Sequence, residues 1–271
     1  MRRSITGFSN PTVKYLRSLR EKKRRKQERC FLAEGLRLLT DAREAGQLPK
    51  LLAMSSSRTP HPLLDAIEAD VAAAGGDIVE MDEALLAKVT GKDNPQSVCG
   101  VFVEFDTSLA RIDRAAAPIW LVAQALRDPG NLGTLLRTGD AVGAGGLILI
   151  DDCADPFSVE AVRASMGAIF TQSIGQATWN EFIAWLRLGE GQLVAASLRV
   201  AQPYRGAPYA APCFLLIGNE SRGLPQAYED ACDLRVTIPM QGRADSLNAA
   251  VAGAVLAYEA LACLSTAANR S

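Results

Sequence analysis

The sequence predicts an α/β protein whose C-terminal part is a mostly parallel sheet with helices on both faces, preceded by a smaller α/β domain. Two observations lead to this prediction. Short, continuous apolar runs alternate with longer helical patterns in the second half of the chain, which is typical of strands covered on both faces. The 271 residues, 48% of them hydrophobic and 22% charged, are also enough to bury two cores.

The first hundred residues alternate helix and strand patterns over a length typical of one domain. Ser9-Asn10-Pro11 predicts a helix N-cap followed by proline in the first turn, and the basic cluster after Leu19 is expected to continue that helix. Further helices are predicted over residues 34–45, 63–74 and 83–89, and strands over 51–54, 78–81 and 98–105.

A linker is expected next, because residues 106–118 mix charges with a run of alanines and have no clear period. The predicted division is a first domain over 1–108, a linker over 109–117 and a second domain over 118–271. In the second domain, strands are predicted over 119–123, 147–150, 193–196, 214–217 and 236–238, and helices over 132–142, 157–170, 180–188 and 246–264. Ligands of such a sheet bind in loops at the carboxyl ends of its strands.

Several kinds of protein are disfavoured by composition. The six cysteines are far apart and form no C-x-x-C pair, which indicates reduced thiols and no zinc site. His61 is the single histidine and lies between two prolines, so chemistry that needs a histidine base or histidine metal ligands is disfavoured. Neither a membrane-spanning helix nor a signal peptide is predicted, and we expect a cytoplasmic protein without a metal.

The charge is unevenly distributed, although the net charge is only −1. Residues 1–30 hold eleven Lys or Arg against two Glu, whereas the other 241 residues hold 18 basic and 28 acidic residues. A basic segment on an acidic protein can hold a polyanion at one end by releasing counterions. A solvated helix face would give the same composition. The candidate RNA-binding residues are Lys14, Arg17, Lys22, Lys23, Arg24, Arg25 and Lys26.

Three polar, glycine-containing segments fall where predicted strands give way to helices. In the first, residues 128–140, Asn131 is expected to cap the next helix, and Arg137 lies about two turns further on, within reach of an anion at the helix end. A cap followed by a surface arginine is the alternative interpretation. The first segment alone does not decide between them.

The second segment, residues 217–225, leaves a strand and enters a loop with two glycines, which permit close approach of the backbone to a ligand. An ordinary glycine turn with a surface ion pair between Glu220 and Arg222 would look the same. The third segment, residues 238–248, ends a strand with proline and begins a long helix, for which Asp245 or Ser246 is the expected cap.

Together these segments read N-L-G-x-x-x-R-T, G-N-E-x-x-G-L and I-P-M-x-G-x-x-x-S-L-N. In this order and spacing they resemble motifs one, two and three of the SpoU (TrmH-like) family of SPOUT-class RNA methyltransferases. Residues 5–46 resemble, more weakly, the substrate-binding (L30e-like) domain that often precedes this catalytic domain. The resemblance implies transfer of a methyl group from S-adenosylmethionine to a ribose 2′-hydroxyl of structured RNA, ribosomal RNA first.

The resemblance also implies a trefoil knot in the second domain, a homodimer formed through that domain, and a role for particular residues. It assigns four residues to the reaction centre: Arg137, Glu220, Asn131 and Asn248. It assigns nine residues to the methyl-donor site: Ser197, Ile217, Gly218, Asn219, Gly223, Ile238, Met240, Ser246 and Leu247. Guanidinium is a poor base near neutral pH, so we expect Arg137 to position a substrate phosphate and Glu220 to accept the proton.

Other functions could use a similar fold. A non-catalytic RNA-binding or ribosome-assembly protein could keep the fold, but the chain has Arg137, Glu220 and Asn248. An NAD-dependent oxidoreductase should show G-x-G-x-x-G in its first strand-to-helix turn, and Asn131-Leu132-Gly133 does not fit that pattern. Transfer RNA remains an alternative substrate.

Overall fold

The computed structural model describes residues 2–92, 94–199, 201–219 and 222–268. The chain forms two compact units: Met1–Phe105 with Asp155–Phe170, and Asp106–Ala154 with Thr171–Ser271. The sequence-based division into 1–108, 109–117 and 118–271 remains a prediction about consecutive segments. The structure adds that the internal segment Asp155–Phe170 packs in the first unit.

The first unit is a mixed five-stranded sheet with helices. Its strands are β1 (Arg2–Ile5), β2 (Cys30–Glu34), β3 (Leu51–Ser55), β4 (Asp77–Met81) and β5 (Val98–Val103). Its helices are α1 (Pro11–Ser18), α2 (Lys22–Glu28), α3 (Leu36–Glu44), α4 (Pro62–Ala73), α5 (Glu83–Thr90) and, from the internal segment, α7 (Val159–Ala164). The strand order is β1-β4-β3-β5-β2, with β5 antiparallel to both of its neighbours.

The beginning of the first unit partly follows the prediction. The Asn10 side chain accepts the Thr12 N–H at 2.8 Å, which confirms the predicted N-cap of α1. The basic cluster does not continue that helix, because α1 ends at Ser18 and a separate helix, α2, begins at Lys22. The fully buried strand β2 was not predicted, because its five residues pass directly into the pattern of α3.

The internal segment completes the apolar core around β2. The Phe31 ring lies 5.1 Å from the Phe157 ring and 6.1 Å from the Phe170 ring, measured between centroids. The helix predicted over 157–170 is wrong in its length, since the backbone takes positive φ at Met166 (49°) and Gly167 (96°). Those two residues separate α7 from the turn that places Phe170 in this core.

The second unit contains a seven-stranded sheet in which every strand pair among the described residues is parallel. Its strands are β6 (Ile119–Gln124), β7 (Gly146–Ile150), β8 (Ser173–Ala177), β9 (Gln192–Ala196), β10 (Gln202–Pro203), β11 (Cys213–Ile217) and β12 (Leu234–Thr237). Its helices are α6 (Pro129–Ala141), α8 (Trp179–Arg187), α9 (Gln226–Asp230) and α10 (Ala249–Ala268). The strand order is β10-β12-β9-β11-β6-β7-β8. The predicted α/β class and mostly parallel sheet are confirmed.

Several parts of the second unit differ from the sequence-based description, which lacked the short elements β10 and α9. β8 was not predicted, because Ser173, Gly175 and Gln176 interrupt its apolar pattern. Residues 109–117, expected as a linker, pack against this unit: Ile112 is buried, and the guanidinium of Arg114 lies 4.1 Å from the Trp185 ring centroid.

The last helix, α10, is 20 residues long and apolar. By length and composition alone its residues Ala249–Ala267 could cross a membrane, and 33% of its most apolar stretch is buried in the protein. Gly253 lets it pack closely, because a Cβ there would lie 2.5 Å from Leu135 and 2.7 Å from Ile217. α10 therefore uses a small residue to pack closely within the second unit.

Candidate functional site

Four loops of the second unit leave the carboxyl ends of neighbouring strands. The strands are β12, β9, β11 and β6, which are adjacent in that order. Because they are parallel, the loops that follow them emerge at the same edge of the sheet, where ligands of open α/β sheets bind. Three of these loops contain the polar segments singled out in the sequence, and the fourth begins at Ser197.

The loops after β9, β11 and β12 line, with the start of α10, a cavity of about 540 Å³, which we call the loop cavity. The loop after β6 is not part of this lining. Its size lies within the range of small-molecule sites. All nine residues assigned to the methyl-donor site line it: Ser197, Ile217, Gly218, Asn219, Gly223, Ile238, Met240, Ser246 and Leu247. Its lining combines aliphatic residues, among them Ile238 and Leu247, with four charged ones: Arg199, Arg222, Glu229 and Asp245.

Two charged residues in the wall of the loop cavity were not predicted. Glu229 is 3% exposed, and its carboxylate pairs with Arg199, with an Nη1 to Oε2 distance of 3.3 Å. Arg199 also donates to the Gln226 side chain at 2.7 Å. No motif marks either residue; only the position of Arg199 two residues after Ser197 could have suggested it.

The turn after β11 explains why the second segment contains Asn and two Gly. Asn219 Nδ2 donates to the carbonyl of Ala125 at 2.9 Å, and Ala125 itself has a positive φ of 49°. The main chain then folds back, so that the N–H of Gly223 donates to the Asn219 carbonyl at 2.9 Å. A Cβ on Gly218 would lie 2.7 Å from the backbone of Gly223 and of Leu224. Only glycine permits this closed turn.

The first and third segments meet through two asparagines. Asn248 Nδ2 donates to Asn131 Oδ1 at 2.9 Å, which brings two of the predicted reaction-centre residues together. Asn248 Oδ1 accepts the N–H groups of Ala250 and Val251, so Asn248 caps α10 and the predicted caps Asp245 and Ser246 are wrong.

The cap predicted for α6 is also wrong. α6 begins at Pro129, and the Asp128 carboxylate accepts the Asn131 N–H at 2.6 Å, so the cap lies three residues earlier than expected. The Asn131 side chain is therefore available for the contact with Asn248 instead of the capping role.

Of the other two residues assigned to the reaction centre, the structure describes Arg137 but not Glu220. Arg137 lies on α6 with its side chain exposed, and within the described ranges its guanidinium has no hydrogen bond or ion pair. Such a cation is free to bind an anion from solution. Glu220 lies outside the described residues, so its predicted role stays a prediction.

A polar network that sequence reasoning missed lies at the end of β7. Asp151 has a positive φ of 63°, and its carboxylate accepts from the Tyr228 hydroxyl at 3.0 Å and from the Trp179 N–H at 2.9 Å. The Tyr228 and Trp179 rings stack at 3.9 Å. Burial, reinforced by the hydrogen bond to Asp151, raises the pKa of Tyr228 to about 12. The hydroxyl is therefore a proton donor at neutral pH and fixes α9.

The candidate RNA-binding residues lie in the first unit, and most of them are on its surface. Lys14, Arg17, Lys22, Lys23 and Lys26 are exposed, and Arg24 is half-buried beside Glu28. Arg25 is 2% exposed, so its assignment to phosphate binding is wrong. Its guanidinium donates to Asp155 at 2.6 Å and to the carbonyls of Leu19 and Arg20, which attaches the internal segment to α2.

Family models match both parts of the chain. Residues 118–258 match the model described as the SpoU rRNA Methylase family, and residues 10–100 match the MRM3-like substrate binding domain.

Individual proteins resemble the chain over nearly its full length. The 23S rRNA (guanosine(2553)-2'-O)-methyltransferase RlmP of Bacillus subtilis is 29% identical over 94% of this chain and 98% of its own. The crystal structure of an AdoMet-bound rRNA methyltransferase from Sinorhizobium meliloti has a TM-score of 0.89, at 39% identity over 96% of this chain and 97% of the other. AviRb from Streptomyces viridochromogenes, a SpoU methyltransferase solved with AdoMet, has a TM-score of 0.83, at 27% identity over 93% and 97%.

Proposed function

We propose, from the premise that this chain belongs to the SpoU rRNA methylase family, that it methylates a ribose 2′-hydroxyl of 23S ribosomal RNA. Membership makes it an S-adenosylmethionine-dependent RNA methyltransferase. The observation that carries the proposal is the loop cavity, since the second and third family segments and the loop that begins at Ser197 bring all nine expected donor residues around one space. The nucleotide is not specified by these residues.

The lining of the loop cavity fits S-adenosylmethionine, which supplies an electrophilic methyl group on a sulfonium when bound. Ile217, Ile238 and Leu247 offer apolar surface for the adenine ring. The buried Glu229 carboxylate provides an acceptor for hydroxyl or ammonium donors, and its pairing with Arg199 keeps it in place. The aliphatic side chains among the lining residues would limit contact of water with the sulfonium, whose charge is dispersed during transfer.

The chain's own catalytic contribution is positioning and proton removal. Arg137 binds a phosphate next to the target ribose and orients the 2′-oxygen for attack. The Asn131–Asn248 hydrogen bond fixes the first segment against the start of α10 beside the loop cavity. Glu220 accepts the hydroxyl proton, because guanidinium groups stay protonated near neutral pH.

The RNA is bound by the exposed cations of the first unit. Lys22, Lys23 and Lys26 on α2, with Lys14 and Arg17 on α1, each add a phosphate contact and its counterion release. Arg25 is excluded from this set because it is buried. The proposed location is the cytoplasm, where ribosomal RNA is accessible.

A second copy of the chain covers part of α10. Val251 (48% exposed) and Tyr258 (54% exposed) lie seven residues apart, on the same side of this helix. We assign them to the homodimer interface and not to a membrane, since the relatives named above are enzymes acting on RNA. The family's trefoil knot in the second unit belongs to the same proposal.

The direct test is methyl transfer from S-adenosylmethionine labelled in its methyl group to purified 23S RNA, 16S RNA and transfer RNA, followed by mapping of the 2′-O-methyl position. We expect one labelled ribose in 23S RNA. Labelled transfer RNA would identify the alternative substrate. RNA binding without transfer to any of them would leave a non-catalytic RNA-binding protein.

A further inference from the structure

Phe8, in the first unit, is the exception among the eight phenylalanines of the chain. The other seven lie against another aromatic ring. Phe8 is 58% exposed, and within the described ranges its ring contacts no other ring and no cation. The ring is therefore open to a ligand from solution. None of the sequence-based site assignments falls on it.

The backbone on both sides of Phe8 is fixed. Phe8 lies in a turn that the Asn10 N–H closes by donating to the Gly7 carbonyl at 3.1 Å. Before the turn, Ile5 ends β1 and is buried in the core, and after it α1 begins with its Asn10 cap and buries Val13. The outward position of the ring therefore belongs to the fold, and a ligand that binds there meets a preorganised surface.

A row of cations leads away from Phe8 along α1. Lys14 and Arg17 are exposed and three residues apart, which puts them on one face of the helix. Arg20 follows the end of α1, and its guanidinium lies against the C-terminal turn of α5. We call Lys14, Arg17 and Arg20 the α1 cations. Within the part of the chain that the structure describes, their side chains have no ion pair or hydrogen bond, and residues 1–20 contain no acidic residue.

An exposed aromatic ring at the end of a row of unpaired cations matches the way in which proteins bind single-stranded nucleic acid. A base stacks on the ring, and any of the four bases can do so because each has a flat π face. The cations bind the phosphates of the neighbouring nucleotides. A double helix presents its phosphates but keeps its bases stacked inside, so it can use the cations and not the ring.

We propose that Phe8 stacks an unpaired base of the RNA substrate, while the α1 cations bind the phosphates next to it. This inference rests on the proposed function, because it assumes an RNA substrate. It adds a requirement for a single-stranded nucleotide to a unit whose cations alone would hold any RNA. A second copy of the chain fits this surface poorly, since two rows of α1 cations would bring like charges together.

The test uses the full-length protein, a hairpin RNA with a single-stranded loop, and a blunt RNA duplex with the same number of nucleotides. We expect Phe8→Leu, which keeps an apolar side chain and removes the aromatic face, to weaken hairpin binding roughly tenfold. Phe8→Trp keeps a flat ring and should bind the hairpin within about twofold of the wild type. Both variants should bind the duplex as the wild type does, because the α1 cations are unchanged.

A fluorescent base and a control variant make the test specific for stacking. The adenine analogue 2-aminopurine, which loses emission when it stacks, replaces each loop base in turn. At one loop position the wild type and Phe8→Trp should quench it on binding, and Phe8→Leu should not. Leu63 is 43% exposed at the start of α4, away from the α1 cations, so Leu63→Ala removes exposed apolar surface and should leave hairpin affinity unchanged.

Each result bears on Phe8 separately from the enzyme activity. Equal hairpin affinities of Phe8→Leu and the wild type, or an equal loss for hairpin and duplex, would overturn the inference. A changed oligomer mass of Phe8→Leu would also overturn it, by placing the ring in a contact between copies of the chain. If wild-type transfer to 23S RNA is intact but Phe8→Leu binds the hairpin normally, the stacking inference alone has failed. If the wild type methylates no RNA, the proposed function has failed, and hairpin binding still decides the role of Phe8.

Discussion

The two cavities of this protein are built from different parts of the chain. The loop cavity is lined by loops that follow neighbouring parallel strands, and its closed turn at Gly218 depends on the path of the main chain. A second cavity, of about 460 Å³ beside α1 in the first unit, is lined by side chains from elements far apart in sequence, four of them charged. A site made of main chain depends on glycine, proline and asparagine at fixed spacing, so a sequence displays it. A site made of scattered long side chains leaves no such pattern.

The largest effect that we expect is on stability, and it distinguishes a cation with a structural role from the exposed cations proposed to bind RNA in the first unit. Arg25→Ala removes the partner of the nearly buried Asp155 carboxylate and should cost about 3–5 kcal/mol of stability. Lys26 is the exposed neighbour of Arg25, and Lys26→Ala should change the free energy of unfolding by no more than about 0.5 kcal/mol. The measurement is urea unfolding followed by far-ultraviolet circular dichroism and by tryptophan fluorescence.

The two signals report different units in that experiment. All three tryptophans lie in the second unit, at positions 120, 179 and 185. Arg25→Ala should therefore shift the part of the dichroism transition that belongs to the first unit and leave the fluorescence transition in place. An unchanged dichroism curve would contradict the structural role of Arg25.

The next effect is on the rate of methyl transfer in the second unit, which Arg137 should influence without changing the affinity for the methyl donor. Arg137→Ala should lower single-turnover methyl transfer about a hundredfold, the loss of roughly 2.7 kcal/mol of transition-state stabilisation. The Kd for S-adenosylmethionine should not change, since Arg137 is not among the residues that line the loop cavity. Arg137→Lys should recover little if a planar, two-pronged phosphate contact is required. Near-normal turnover in Arg137→Ala would show that Arg137 does not position the substrate and that another residue does.

A smaller effect tests whether the loop cavity depends on its main-chain path. Gly218→Ala places a Cβ 2.7 Å from backbone atoms of the opposite side of the turn, so that side must move. We expect the Kd for S-adenosylmethionine, measured by calorimetry, to rise about tenfold, or roughly 1.4 kcal/mol. Gly242→Ala is the control, because a Cβ at this position meets nothing within 4 Å and its φ is not positive. Equal affinities in the two variants would count against a main-chain site.

The smallest effect per residue is expected for the exposed cations of α2, and it concerns the salt dependence of RNA binding. Changing Lys22, Lys23 and Lys26 to glutamine should reduce the slope of log Kd against log salt by about one for each lost phosphate contact. Binding of S-adenosylmethionine should be unaffected. A slope equal to that of the wild type would mean that α2 carries solvated charge only.

The nine donor-site residues assigned from the family motifs all line the loop cavity, whereas local details were predicted less well. Gly218, Gly223 and Asn248 were assigned from the resemblance, and the structure adds the closed turn at Gly218 and the Asn131–Asn248 hydrogen bond. The caps of α6 and α10 were wrong, because several residues near each helix start could serve and only the backbone path decides. Arg25 was wrong because charge composition does not show which face of α2 turns inward.

Other features had no sequence signal at all. Glu229 is an acidic residue in a short helix, and only its burial beside Arg199 marks it. Asp151 depends on a positive φ and on partners more than 25 residues away in sequence. Tyr15 appeared in an ordinary helical pattern, and the cavity beside it exists only because β1, β3 and β4 are brought together.

The return of residues 155–170 to the first unit affects the order in which the chain can fold during synthesis. Phe157 and Phe170 complete the cluster around Phe31, and Asp155 is the only carboxylate that the described structure pairs with Arg25. A nascent chain that ends before residue 155 lacks these groups, although every strand of the first unit is already present. Folding from the N-terminal end, the usual order on the ribosome, therefore cannot finish the first unit before translation has passed through β7 of the second. A fragment limited to residues 1–108 would leave the Phe31 side of β2 exposed and would tend to aggregate.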